Sequence, residues 1–569
     1  MEQGSDAYDC AYADAMDRIE GLAASHKMLA KNALLWIAFA RRPLMMEELR
    51  HALAVYPGDS ALNEDKLPND KQILSVCAGL VTVDENSGII RLVHSTAQEY
   101  LKRTQEKWFP GADARIASIC VTYLSFSTFE SGFCQTDEDF SERLREYHLY
   151  DYAACNWGDH VRNSSCLGQD VRSFLSKKPQ VEASSQALMA SRASFLMPGY
   201  SQDVPRQVTA MHLAAYFGIG NAVAELLSGG QTADPKDSYE RTPLFWAAKG
   251  GHGGVTEILV RVGKADPTLK DREGHTPVSL AAWSGFDPVV EVLLEAAVDF
   301  DSVRVALLGA MMNGHESTMR LILGSARPDT KATLYSTALS QAVRASRSSA
   351  VEFLLNESVA DRDCKDGFIG APLLDAVKWG HEAITKLLLG SSKIDPNWRD
   401  ACGGTALSQA AEFGREAIVV LLLSREKTDP DRRNAHGQTP MSLAARYGHA
   451  GIVRVLASLK RVDAGSVDEY DRTPLIYAAR EGHEAVVEFL MESGKLNGAA
   501  HDAEKQEALS EAKKNGHDKV VRLLQGHGVA EDSVCRGEDL SSPLGLNSGT
   551  GSSSDCGTDS DVESSNLGD

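Results

Sequence analysis

Six histidines each follow a glycine at the same place in a repeat, at His252, His315, His381, His449, His483 and His517. Imidazole ligates metals and moves protons near neutral pH, so such a set invites a metal or acid–base reading. The spacing argues otherwise. These residues recur once per repeat of a period near 34, too far apart in a rising stack for one ion to collect several, and they read as structural hydrogen-bonding groups. The ten cysteines run from Cys10 to Cys556 without a CxxC pair. The closest two, Cys155 and Cys166, lack histidines at zinc-ligand spacing, and reduced structural thiols are expected. No GxxxxGK[ST] segment occurs, so nothing is present to cradle the β and γ phosphates of a nucleotide. No Ser/His/Asp set, paired carboxylates or metal cluster shows a local signature. The chemistry-bearing residues therefore predict no enzyme, no cofactor and no metal.

What positions these histidines is a repeat that begins near residue 209. Thr-Pro occurs at Thr242, Thr276, Thr439 and Thr473, with weaker counterparts at Thr209, Thr337, Ala371-Pro372 and Thr405. Pro fits the first turn of a helix, where its missing N–H costs nothing, and the Thr before it can cap that turn. Five or six residues on comes a small pair, such as Ala247-Ala248, Ala444-Ala445 or Ala478-Ala479, which lets two helices approach closely. Gly-His follows, the glycine suited to the left-handed conformation that ends a helix. A stripe such as Ile418, Val419, Leu421 and Leu422 closes the unit at helical spacing. Asp234-Pro235, Asp266-Pro267, Asp395-Pro396 and Asp429-Pro430 start turn-rich connections between units.

With stretches such as "TPLIYAAREGHEAVVEFLMES", the unit resembles the ankyrin repeat, and the resemblance runs from about 209 to 527. The fold it implies is mainly α, a solenoid of about ten helix-turn-helix units. Those starting near Val305, Thr337 and Ala371 are degenerate, and the last, around Glu507, reads as shortened like a C-terminal cap.

Ahead of the repeats, residues 31 to 41, Met45 to Val55 and Asp70 to Ala78 read as three helices. Apolar runs Leu80 to Val83 and Ile89 to Val93 flank the turn Asp84 to Gly88 as a hairpin, and Ser95 to Arg103 reads as a fourth helix. That is the plan of a winged helix. The segments "RRPLMMEELRHAL", "SVCAGLV", "IIRLVHSTAQEYL" and "YLSFSTFESGFC" resemble the winged-helix region that follows the NACHT nucleotide-binding module in fungal NACHT-ankyrin proteins, which look like intracellular immune-type receptors. The same winged-helix family occurs in proteins resembling inositol deacylases. The resemblance implies a nucleotide-state sensor role for His94, should a NACHT module be supplied; alternatively His94 caps the helix that follows it. The third helix, with Asp70, Lys71 and Gln72, is not basic and argues against DNA binding. The expected division is a helical lead-in over 1–30, a winged-helix-like domain over 31–110, a helical linker over 111–205, repeats over 206–527 and a disordered Ser/Asp-rich tail over 528–569.

Across 569 residues, 43% hydrophobic and 24% charged, the formal net charge is -21. That charge repels phosphate backbones and anionic lipid, so no nucleic-acid or membrane-surface role is expected. Apolar runs such as Ala33 to Ala40 fall short of the ~20 residues a membrane span needs, and a cytoplasmic or nuclear location is expected. In the acidic tail, Ser552, Thr558 and Ser560 each have an acidic residue three positions on, a pattern read by acidophilic kinases and also common by chance.

A repeat stack offers an extended concave surface, and specificity lies in its variable positions. Tyr216, Phe217, Trp283, Trp379, Phe413, Arg446, Tyr447 and Arg480 lie between the small pair and the glycine, and are the candidate partner-binding row. The competing reading is packing against the next repeat. Tyr239, Arg241, Arg272, Trp398, Arg432, Arg433, Tyr470 and Arg472 form a second row in the connections, or simply solvated loop. The expected partner is a protein, with oligomeric state open. The alternative to a binding scaffold is the C-terminal, sensing half of a split or truncated NACHT-type signalling NTPase.

Overall fold

The computed structural model describes residues 2–163, 167–190, 198–296, 298–357, 370–391, 394–496 and 501–529. They form two compact units, Met1–Arg327 and Pro328–Asp569. From residue 530 on, the tail assigned above to disorder, with Ser552, Thr558 and Ser560, lies outside the described residues.

The first unit opens with helices α1 (Glu2–Glu20) and α2 (Ala24–Phe39). Helix α2 starts two turns before the expected Lys31. Its first turns place His26 and Met28 outward, so they carry no apolar periodicity although Ala, Lys, Met and Leu are all good helix formers. Its last three turns bury Ala33, Leu34, Leu35, Trp36 and Phe39. A two-residue strand β1 (Leu44–Met45) precedes α3 (Met46–Ala54), and α4 (Asp70–Val76) follows. The expected hairpin is β2 (Val81–Val83) and β3 (Ile89–Leu92), then α5 (Ser95–Arg103). The sheet is antiparallel in the order β1-β3-β2, with Leu44 opposite Ile90 and Val83 opposite Ile90 on the other side. Strand β1 was not expected, because two residues before a helix carry no alternation to read.

Short α6 (Gln105–Trp108) leads to α7 (Ala112–Leu124), α8 (Asp137–Glu146), α9 (Tyr150–Arg162), α10 (Gln169–Leu175) and α11 (Lys178–Met189). These helices pack on the winged helix. Arg42 donates two hydrogen bonds to Glu48, at 2.6 and 2.9 Å, and a third to Asp151 on α9 at 2.9 Å. Its neighbour Arg41 donates its amide N–H to the Tyr152 hydroxyl and its guanidinium to Asp113. Fully buried His160 lies between the Asp113 carboxylate (2.6 Å) and the Tyr152 hydroxyl (2.9 Å). An Asp–His–Tyr chain of this form can relay a proton, but the His and Tyr rings are both sealed from solvent, and what it does here is fasten α7 and α9 to the end of α2. Behind it, Tyr123, Phe126, Phe129 and Tyr150 pack as one aromatic core, Phe129 stacked on Tyr150 at 4.7 Å.

Four helix pairs complete this unit. They are Ala210–Tyr216 with Gly220–Ser228, Pro243–Lys249 with Gly253–Glu257, Pro277–Trp283 with Asp287–Glu295, and Phe300–Asn313 with Glu316–Ser325. Among its described residues the second unit holds six more. Its first helices are Pro328–Arg344, Gly370–Trp379, Ala406–Glu412, Pro440–Arg446, Pro474–Glu481 and Asp502–Lys514; each is followed by a partner helix, the last being Asp518–Gly526. The paired alanines are fully buried between the helices, and the six glycines of the Gly-His steps sit at φ between +71° and +81°.

Two local expectations need correction. Thr405, Thr439 and Thr473 cap their helices through their hydroxyls and Thr276 forms a capping box with Ser279, whose hydroxyl accepts from the Thr276 amide at 3.0 Å, but among the described residues the Thr242 hydroxyl is buried without a partner. The final pair is not shortened at its first helix: Asp502–Lys514 has 13 residues where Pro440–Arg446 has 7, nearly two turns more. Without a Thr-Pro start, nothing sets the helix origin one turn before the alanines.

Candidate functional site

The Gly-His step is an inter-repeat latch. A carbonyl can only accept, so Nε2 of each histidine carries the proton and donates it to the end of the preceding first helix. His252 reaches the Tyr216 carbonyl at 2.7 Å, His315 that of Trp283 at 3.0 Å, His449 that of Glu412 at 3.0 Å, His483 that of Arg446 at 2.8 Å and His517 that of Arg480 at 2.9 Å. The same ring covers the preceding repeat's glycine, and a Cβ at Gly448 would lie 2.6 Å from His483. At the position where one repeat has Gly-Arg, the Arg415 guanidinium donates to the Lys378 carbonyl at 3.1 Å. His381 is the exception: its Nε2 is buried and has no partner among the described residues.

This latch fixes the orientation of the residues it grips. In the second unit Trp379, Phe413 and Tyr447 stand 34 residues apart at the same position of three successive repeats, 58%, 41% and 43% exposed. Arg446 lies over the Tyr447 ring at 5.5 Å and over Tyr477 of the next repeat at 5.8 Å. Arg480, one repeat on, is half-buried and stands 4.0 Å from Glu511. In the first unit Trp283 is exposed, and Tyr216 is half-buried with its ring edge-on to Trp246 at 5.8 Å. Burial raises the Tyr216 and Tyr447 phenol pKa values above the usual range.

Phe217 is not a surface residue. It is 3% exposed and packs edge-on to Trp157 of α9 at 5.1 Å, while Arg162 donates to its carbonyl at 3.1 Å. The neighbour of the first repeat is the α9–α10 layer, and Phe217 is the plug between them.

His94 caps α5. Its Nδ1 accepts from the Thr96 amide at 3.3 Å and lies 2.8 Å from the Thr96 hydroxyl, and its ring stacks on Tyr8.

The turn-rich connections are organised by a residue that pattern reading passed over. One oxygen of Asp237, Asp271, Asp400, Asn434 or Asp468 accepts two amide N–H groups two and four residues on, as at Tyr239 and Arg241, both 2.9 Å from Asp237. In Asp237, Asp400 and Asp468 the second oxygen holds the repeat's own first helix. Trp246 donates to Asp237 at 3.0 Å, Gln409 to Asp400 at 2.9 Å, and the Tyr477 hydroxyl to Asp468. Neighbouring connections are joined by backbone bonds, as from the Arg272 amide to the Tyr239 carbonyl at 3.1 Å and from the Ala435 amide to the Cys402 carbonyl at 3.0 Å. The signal was a lone Asp or Asn four residues before the residue preceding Thr, recurring in phase.

Of the second candidate row, Tyr470 is 60% exposed with Arg472 over it at 4.7 Å, and Arg432 is exposed. Trp398 packs over Gly370, Arg433 donates to the Val467 carbonyl, and Tyr239 donates to Asp203. Asp271, Glu273 and His275 converge at metal-ligand distances, but Asp271 is committed to the two amides of its turn and faces Arg241 at 3.5 Å. Among the described residues no helix is long and apolar enough to cross a membrane.

A family model described as "Ankyrin repeats (3 copies)" matches residues 195–304, 307–400, 373–468, 407–499 and 456–535, together more than half of the chain. A second, "GPI inositol-deacylase, winged helix domain", matches residues 17–117. Neurogenic locus notch homolog protein 1 of Xenopus laevis is 33% identical over 126 residues, 21% of this chain and 5% of that protein. Neurogenic locus notch homolog protein 2 of Homo sapiens is 32% identical over 125 residues, with the same shares. The chain spans about a twentieth of the length of these curated relatives.

Proposed function

Because this chain belongs to the ankyrin-repeat family, a protein-interaction module, we propose that it acts without catalysis, as an intracellular scaffold holding a protein partner on the concave, first-helix face of its repeats. The observation that carries this reading is the exposed ladder Trp379, Phe413, Tyr447. Folding would bury three aromatics at one repeat position if the neighbouring repeats needed them fully; it leaves about half of each exposed, where it can contribute apolar area to an interface. Arg446 and Arg480 continue the ladder within the second unit; in the first unit Trp283 and Tyr216 hold the equivalent repeat positions. The winged-helix-like segment 31–110 and the helices over 111–205 then serve as the support on which the repeats of 206–527 begin.

The test uses the full chain as bait in lysate of the source organism, beside Trp379→Ala/Phe413→Ala/Tyr447→Ala. Circular dichroism must show both folded. A partner captured by the parent and lost by the variant supports the reading; identical captures remove the site.

The winged-helix match over 17–117 favours a second reading, the sensing half of a NACHT-type receptor of fungal type whose nucleotide-binding module lies on another chain or in an unjoined reading frame. His94 would then face bound nucleotide. A P-loop reading frame directly upstream in the genome discriminates the two.

A further inference from the structure

The ladder in the second unit changes chemistry along its length. At the position just before Trp379, Phe413 and Tyr447 the chain carries Lys378, Glu412 and Arg446, and the next two repeats continue with Arg480 and Lys514. The face is therefore aromatic at its 379–447 end and cationic at its 446–514 end. At the cationic end Arg472, Ile476, Arg480, Glu507, Glu511 and Lys514 line a cleft of about 360 Å³. Its charges are incompletely paired. Lys514 pairs with Glu511 at 3.4 Å, Arg480 reaches Glu481 and Glu511 only at 3.8 and 4.0 Å, and among the described residues no carboxylate pairs with Arg446 or Arg472, which lie over tyrosine rings instead. A guanidinium over an aromatic ring keeps its outward N–H groups free for a carboxylate.

One acidic segment is tethered beside this end. The last described residue, Val529, follows the final helix Asp518–Gly526. Beyond it the sequence places Glu531, Asp532, Glu538 and Asp539 around a single cation, Arg536, and then Leu540, Leu544 and Leu546. Acids come first and leucines second, the order in which the face presents cations and then aromatics when followed back from Lys514. The lengths agree as well. A chain of nine residues can reach at most roughly 30 Å at ~3.3–3.6 Å each, and three repeats whose helices pack ~8–10 Å apart cover about the same distance, so the segment is long enough to bring its leucines to the Tyr447 and Phe413 repeats.

We propose that residues 531–546 dock in cis on the first-helix face between Phe413 and Lys514, carboxylates on Arg446, Arg472, Arg480 and Lys514 and leucines on Tyr447 and Phe413. The segment is an internal stand-in for the partner, which on this basis is a linear stretch with acidic residues flanking aliphatic ones. Tethering supplies an effective concentration on the order of millimolar, so even a weak fit keeps the face covered until a partner displaces it. The inference rests on the binding face proposed above.

Arg536 provides the readout, since no other Lys or Arg follows Arg522. Limited trypsin digestion of the full chain, followed by mass spectrometry, times the release of the fragment beginning at Gly537. Docking predicts release about tenfold slower in the parent than in Arg446→Glu/Arg480→Glu, with unchanged thermal melting. If that double reversal fails to fold, Arg446→Gln/Arg480→Gln replaces it. Tyr447→Ala/Phe413→Ala should release at an intermediate rate. Equal release from parent and charge variants overturns the docking. A parent that loses its partner when Trp379, Phe413 and Tyr447 are replaced, yet releases the fragment at the variants' rate, keeps the binding face and discards the tail; a protected tail with no partner lost does the reverse.

Discussion

Phe217 fills the space that a side chain at Gly158 would need: a Cβ there would lie 2.0 Å from the Phe217 ring and 2.5 Å from its own Cβ. The contact joins helix α9 to the first repeat, and the near atom is the root of the side chain, so the ring cannot simply swing away. Gly158→Ala should therefore destabilise. Alanine gains ~1 kcal/mol of helix propensity, but overpacking costs ~1–3 kcal/mol, and here both the ring and the backbone behind it must move. Phe217→Ala should cost ~3–5 kcal/mol. Hydrogen exchange in Ala210–Tyr216, measured against the other first helices, reads both; unchanged protection in Gly158→Ala would show that the layer is looser than its geometry.

Stability should fall between pH 6.5 and 4. His51 is 5% exposed, with Nδ1 2.8 Å from the Tyr123 hydroxyl and the His148 ring edge-on at 5.0 Å. Burial first, then His148 and Arg50, hold its pKa at about 4 against an ordinary 6.5. Between these values the folded chain binds fewer protons at this site than the unfolded one. The stabilisation is therefore whole above pH 6.5 and is lost progressively as pH falls to 4. Burial lowers His212 and His252 in the same direction. Denaturation followed from pH 7 to pH 4.5 should show the decline, and His51→Gln should flatten it by at most ~1.4 kcal/mol per pH unit, the value for one proton. A slope unaltered by that substitution would assign the decline elsewhere.

The repeats were legible because several weak marks recur in phase, and each mark has a local cause: proline at a helix start, alanines at a helix–helix contact, glycine at positive φ. Helices α3, α4 and α5 were legible for the same reason, with ends within two residues of expectation. What escaped depends on contacts distant in the chain. Strand β1 exists because β3 lies beside it, 45 residues on. Phe217 looked like Trp283 and Trp379 because it ends a first helix, and nothing local says that its neighbour is α9 rather than solvent. Arg41 and Arg42 were legible only as part of a family segment; their partners Asp113, Asp151 and Tyr152 lie 72 to 111 residues away. The turn aspartates had a periodic signal that the more conspicuous arginines and tyrosines beside them obscured.

The latch between repeats separates two jobs that histidine performs together, covering a glycine and donating to a carbonyl. At Gly414 a Cβ would lie 2.6 Å from the His449 ring, and that ring donates to the Glu412 carbonyl. One repeat earlier Arg415 does both, covering Gly380 and donating to Lys378, so the geometry accepts a guanidinium. Phe286 covers Gly251 with a ring that has no donor. His449→Arg should therefore stay within ~0.5 kcal/mol of the parent, and His449→Phe should lose the hydrogen bond alone, ~1 kcal/mol. His449→Ala should lose the bond and the packing, ~2 kcal/mol or more. Gly448→Ala should be worse than His449→Phe, because its φ of +79° strains an L side chain and the new Cβ meets His483 at 2.6 Å. Thermal unfolding of the full chain orders the four variants. Arginine ranking with alanine would mean that the imidazole ring, rather than the donor it carries, holds one repeat to the next.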